Sequence, residues 1–202
     1  MTETISATQA PATAPPVPAS KTVGILLGSF RAKAFTRSVA NAAAASLPAG
    51  YEARVLELDK LPLFDQGYDD EGVTPREWQA FRADVAALDA LLIVTPEHNR
   101  SFPAVLKNAL DIASRPAGQS VWGGKPAAVI SSSPGRIGGA LANQHIRQAL
   151  TFLNIHVMQT PELYISDVAT LVDAEGVLVD ESTLRHIGKF IDAFIVWIER
   201  LS

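Results

Sequence analysis

Three short segments gather most of the residues able to do chemistry. The first, residues 28–37 (GSFRAKAFTR), brings the hydroxyls of Ser29 and Thr36 and the cations Arg31, Lys33 and Arg37 to the start of a helix-compatible stretch. Hydroxyls, backbone donors at a helix N-terminus and positive charge are what a phosphate group requires. The segment is neither a Walker sequence nor GxGxxG, and a solvated basic turn has the same composition. The second segment, residues 95–103 (TPEHNRSFP), places Glu97, His98, Asn99 and Arg100 after Pro96, with Ser101 able to cap a following helix. Alternating donors and acceptors there suit a flat heterocycle; ordinary turn residues and a surface histidine are the alternative. The third, residues 130–139 (ISSSPGRIGG), contains Ser132, Ser133 and Gly135 and ends in a glycine pair. Small residues let the backbone approach a ligand, and a helix opening at Gly138 turns its positive end toward it. No GxSxG is present, so a hydrolase nucleophile elbow is not supported.

Each segment follows a short apolar run: 22–27 (TVGILL), 90–94 (ALLIV) and 127–130 (AAVI). Such runs read as strands buried on both faces. Further strands are expected at 53–58 and 156–158, with a Gly-, Pro- and Asp-rich loop at 61–74. Helices are expected at 35–47, at 75–88 with Trp78, Phe81, Val85 and Leu88 on one face, and at 102–113 with Pro103 in the first turn. Two more follow at 138–153 and 182–199, the last with Leu184, Ile187, Ile191, Phe194 and Ile198 along one stripe. Alternating strands and helices with right-handed crossovers give a parallel sheet covered by helices on both sides. In such α/β folds ligands bind beyond the carboxyl ends of the strands, where the three segments fall.

The 202 residues carry 17 Lys+Arg against 21 Asp+Glu, a net charge of −4 that argues against a general nucleic-acid binder. The absence of cysteine removes disulfides, thiolate metal sites and cysteine nucleophiles, so a redox role would need a bound cofactor. His98, His145, His156 and His186 are scattered without HExxH spacing, and no metal site is expected. His156 and His186 read as structural, Lys107 and Asp111 as a helix-surface pair, and Trp122 as a packing anchor. No apolar run approaches the ~18 residues of a membrane span. Residues 1–20 (MTETISATQAPATAPPVPAS) read as a disordered tail before a domain at 21–202. The tail lacks the basic start and apolar centre of a signal peptide, and a cytoplasmic location is expected.

Taken together, LLGSFRAKAFTR, VTPEHNRSFPAVLKNALD and GGKPAAVISSSPGRIGGALANQHIRQAL resemble the NAD(P)H-dependent FMN reductase family, in particular its soluble bacterial quinone reductases, also described as chromate reductases. The P-E-[YH]-N…P…LKNA.D segment carries the most specific part of the likeness, which spans residues 22–200. The resemblance implies a flavodoxin-like three-layer sandwich with a five-stranded parallel sheet of order 2-1-3-4-5 and noncovalent FMN. It implies that Ser29, Arg31 and Thr36 hold the phosphate, that Pro96, Glu97, His98 and Asn99 line the ribityl chain and ring, and that Ser132, Ser133 and Gly135 approach the ring. NADPH or NADH would be co-substrate in a two-electron ping-pong reaction, with no catalytic side chain required. Quinones would be the acceptors, with chromate, ferric complexes, azo dyes or free flavin as further ones. Arg100, beside the ring loop, is the candidate for a pyridine-nucleotide phosphate, a surface or subunit-interface ion pair being its alternative. A homodimer or homotetramer is also implied. The chain departs from the family pattern at Ala34, where Ser is frequent, at Thr36, where Asn is, and at His98, where Tyr is; Arg37 or Lys33 would compensate for the hydroxyl missing at Ala34. Two other readings use the same fold. A one-electron carrier of the flavodoxin type would seal its flavin with aromatic rings, and the ring loops here contain no Trp or Tyr. A receiver-like signalling module needs clustered acids after the first strand, and GSFRAKAFT has none.

Overall fold

The computed structural model describes residues 20–202; the tail expectation concerns residues that, except for Ser20, lie outside the described ones. Strands β1 (Lys21–Leu27), β3 (Ala90–Thr95) and β4 (Pro126–Ser132) form the centre of the sheet. All pairings are parallel, with Val23 opposite Ala90 and Leu91 opposite Ala127. Strand β2 (Tyr51–Val55) flanks β1 on the outside and β5 (His156–Val157) flanks β4, giving the order β2-β1-β3-β4-β5. The chain therefore reverses its direction of travel across the sheet between β1 and β3, and a crevice opens there at the strand ends.

Period-2 alternation along the central strands divides the core. Leu91, Ile93, Ala127 and Val129 pack with Trp78, Phe81, Leu106, Ile112 and Trp122 on one face. That face is covered by α3 (Arg76–Ala86), α4 (Ala104–Ala113) and α5 (Ala140–Phe152). Val23, Ile25, Leu92 and Ile130 point the other way, toward α1 (Phe35–Ala45) and α6 (Glu181–Leu201). Each fully buried Leu or Ile contributes about 2 kcal/mol, so the apolar runs that define the strands also hold the three layers together. Trp122 is the expected anchor: fully buried, its indole N–H donates to the Leu110 carbonyl at 2.9 Å. The α6 stripe packs as expected, and Asp180 caps the helix by accepting from the Thr183 N–H at 2.7 Å.

Several boundaries differ from the sequence expectation. The second strand lies at Tyr51–Val55 rather than 53–58. Its residues are largely exposed at the sheet edge, whereas Leu56 and Leu58, which create the apolar alternation, are buried after the strand against Trp78. The 61–74 loop contains a one-turn helix, α2 (Gly67–Asp70). A sixth strand, β6 (Leu163–Ile165), pairs with Ile130–Ser132 of β4, so β5 and β6 share one edge of that strand. Three residues are too few to show a periodicity. Helix α4 starts at Ala104 with Pro103 as its N-cap, and α5 starts at Ala140 with Gly139 as its N-cap. Among the described residues no helix is long and apolar enough to cross a membrane.

Candidate active site

Beyond the carboxyl ends of β1, β3 and β4 the three loops enclose a cleft of about 320 Å³. Ser29, Arg31, Ala34, Phe35 and Thr36 line it from the first loop and the start of α1. Pro96, Glu97 and His98 come from the second, and Ser132, Ser133 and Pro134 from the third. Eight residues expected to bind a cofactor thus meet around one cleft. Asn99, Arg100 and Gly135 do not line it, and Phe35 and Pro134 are additions. Arg37 lines a neighbouring cleft with Phe30, Glu57 and Asp59.

The first two loops touch at Gly28. A Cβ there would lie 2.6 Å from the Pro96 ring and 3.2 Å from Leu106, so glycine is required for close packing between loops. The need is for space rather than for conformation, since φ at Gly28 is not in the left-handed region. In the second loop His98 and Ser101 exchange both backbone hydrogen bonds, at 2.9 and 3.0 Å. The two residues between them, Asn99 (φ 51°) and Arg100 (φ 66°), are both left-handed, as in a type I′ turn. Arg100 occupies a position that favours glycine, a local strain of about 1 kcal/mol. Ser101 does not cap α4; its hydroxyl meets His145 Nδ1 at 2.8 Å and so ties the turn to α5.

Glu97 is the other tie. Its side chain is only 10% exposed and accepts from the Arg100 guanidinium at 3.2 Å. Its second oxygen accepts from the Ala142 N–H in the first turn of α5 at 3.3 Å. The positive end of α5, expected to face a ligand ring, is thus met by a carboxylate of the protein. The third loop depends on β6: Ser133 N–H donates to Ile165 O at 3.0 Å and Ser133 O accepts from Val168 N–H at 3.2 Å. Gly138 (φ 58°) lies against the same strand, where a Cβ would sit 2.9 Å from the carbonyl carbon of Tyr164.

The walls are not satisfied internally. Thr36 Oγ1 and Ser132 Oγ are buried without a hydrogen-bond partner among the described residues. Thr36 and Ser132 are each 2% exposed, and an orphaned buried hydroxyl costs roughly 1–3 kcal/mol. A larger cleft of about 640 Å³ between α4 and α5 includes Phe102, His145 and Phe152, but it lies on the helical flank rather than beyond the strand ends. Among the described residues no group of three or more His, Asp or Glu side chains could hold a metal ion.

Comparison with known proteins bears on the same loops. Residues 21–170 match the family described as NADPH-dependent FMN reductase. The chain is 43% identical over 176 residues to a 2-hydroxy-1,4-benzoquinone reductase of a Burkholderia species, covering 87% of this chain and 95% of that protein. It is 44% identical over 177 residues to a quinone reductase of Pseudomonas putida, covering 88% and 94%. Among solved structures, FerB from Paracoccus denitrificans, a flavoenzyme NAD(P)H:(acceptor) oxidoreductase, superimposes with a TM-score of 0.82 at 36% identity, covering 89% of this chain and 98% of that one. The sheet order, the cleft at the strand ends and these likenesses agree: the chain belongs to the NADPH-dependent FMN reductase family.

Proposed function

We propose that this protein is an FMN-dependent NAD(P)H:quinone oxidoreductase whose cofactor lies in the cleft between the three loops. One observation carries the reading: two buried hydroxyls, Thr36 Oγ1 and Ser132 Oγ, have no partner among the described residues and belong to a cleft that also offers Ser29 and Arg31. That donor set fits a phosphate monoester at one end and a polar heterocycle at the other. The chemistry FMN supplies when bound is two-electron transfer from a reduced nicotinamide to an acceptor.

The residues divide the work. Ser29, Arg31 and Thr36 neutralise and orient the phosphate beside the start of α1. Pro96, Glu97 and His98 shape the side along the ribityl chain and ring, with Asn99 forming the turn beside them and Glu97 holding the loop against α5. Ser132, Ser133 and Gly135 bring the third loop close to the ring. Arg100, 70% exposed beside this loop, presents its guanidinium to a pyridine-nucleotide phosphate. No Trp or Tyr lines the cleft, so a nicotinamide and then a quinone can reach the ring in turn. Phe152, 90% exposed beside the larger cleft, supports assembly as a homodimer or homotetramer, which light scattering would measure.

Fluorimetric titration with FMN tests the cofactor reading: stoichiometric uptake with a micromolar or lower Kd is expected, and no uptake would refute it. Replacing Arg100 with Ala should raise KM for NADPH while leaving FMN content nearly unchanged. An unchanged KM would remove Arg100 from nucleotide recognition.

A further inference from the structure

We propose that His98 is the proton donor of quinone reduction, an assignment that rests on the quinone reductase reading above. Converting a quinone to a hydroquinone takes two electrons and two protons. Oxidation of NAD(P)H supplies both electrons and one proton, so one more proton must be delivered to a quinone oxygen as it gains charge. In this step a ring N–H of the His98 imidazolium breaks, an O–H bond forms on the quinone, and the neutral imidazole is recharged from solvent.

The cleft wall offers no equal donor. Its other polar side chains include the hydroxyls of Ser29, Thr36, Ser132 and Ser133 and the guanidinium of Arg31, and neither aliphatic hydroxyls nor guanidinium groups serve as ready proton donors in proteins. The Glu97 carboxylate is engaged by the Ala142 N–H and by Arg100. Imidazole alone among these groups ordinarily exchanges its proton between pH 5 and 8. His98 lines the cleft yet is exposed, so one ring can reach both an acceptor and bulk water. Its backbone is pinned by both hydrogen bonds to Ser101, which holds the ring at the rim. His145 of α5, the imidazole tied to this loop, has its Nδ1 committed to the Ser101 hydroxyl and does not line the cleft. The charged groups the structure places around His98 are Glu97 and its partner Arg100 on the same loop and Arg31 across the cleft.

The test compares two acceptors in wild type and His98→Gln, with rates expressed per bound flavin by absorbance. Benzoquinone needs protons; ferricyanide takes electrons alone. General acid catalysis contributes roughly 10²–10⁴-fold, so benzoquinone turnover should fall at least about tenfold more than ferricyanide turnover. Added imidazole should restore part of the benzoquinone rate. NMR of the four histidine rings, with His98 assigned by its loss in the variant, supplies a readout independent of turnover. Its titration midpoint should coincide with the alkaline fall of the wild-type benzoquinone rate. Equal losses for both acceptors, no imidazole rescue, or a midpoint unrelated to the rate profile would each overturn the assignment. Wild-type protein that takes up no FMN or reduces neither acceptor would instead sink the reductase reading itself.

Discussion

Thr36 and Ser132 make an unusual pair of residues because their burial is costly in the free protein. A hydroxyl enclosed without a partner destabilises the fold, unless a ligand brings the partner. Opposite signs are therefore expected from Thr36→Val, which keeps the shape and removes the oxygen. Thermal unfolding of the FMN-free variant should be equal to or up to about 1 kcal/mol more stable than wild type. Its FMN dissociation constant should rise about tenfold, read by fluorescence quenching. A variant less stable when free and unchanged in affinity would mean that Thr36 serves packing alone. The types of these residues are legible in the sequence, since hydroxyls and cations cluster after apolar runs. Their burial is not, because it depends on walls brought from β1, β3 and β4 at once. Glu97 shows the same limit: its carboxylate reads as a ligand contact, and its partners Ala142 and Arg100 reveal that it also braces the second loop against α5.

At the scale of elements, a glycine sets the spacing of the site and a buried ion pair anchors a segment away from it. Gly28→Ala pushes a methyl group into the Pro96 ring and Leu106, so it should separate the first two loops. Overpacking of this kind costs about 1–3 kcal/mol, and the variant should melt earlier and bind FMN more weakly. Full retention of both properties would show that the loops are free to move apart. A second brace holds the 61–74 segment. Asp69 and Arg82 form a bidentate pair at 2.6 and 2.8 Å, with side chains 4% and 14% exposed, and Arg82 Nε also donates to Ile112 O of α4 at 2.9 Å. The hydrogen bonds from Arg82 hold the Asp69 carboxyl below its usual range, outweighing the opposing effect of burial. Because the folded-state value is depressed, this stabilisation is complete above the ordinary aspartate range and is lost as pH falls through the lower folded value. Asp69→Asn should cost about 3 kcal/mol at pH 7 and flatten the acid limb of the stability curve. Denaturant melts at pH 7 and pH 3 measure this; an equal loss at both pH values would exclude an ionic origin. The helix α2 that carries Asp69 escapes sequence reading because one turn has no period, and its anchor on α3 and α4 is tertiary.

For the whole molecule, the order β2-β1-β3-β4-β5 does most of the functional work by bringing three distant loops to one end of the sheet. The central strands could be read from the sequence because burial on both faces leaves continuous apolar runs. The edges could not. In β2 the apolar alternation belongs to residues beyond the strand, and β6, which pins Ser133 through Ile165, is too short to announce itself. Family likeness of the loops supplied what periodicity lacked, namely the flavin and its reductant. An open ring between two substrates entails alternating occupancy of one cleft. The most direct measurement is anaerobic: FMN-loaded protein is mixed with one equivalent of NADPH and then with a quinone, while flavin absorbance is followed. The account predicts bleaching by NADPH alone, without a partner reductase, and full return of colour with one equivalent of quinone. Flavin that stays oxidised in NADPH until a second protein is added would contradict it and describe an electron carrier instead.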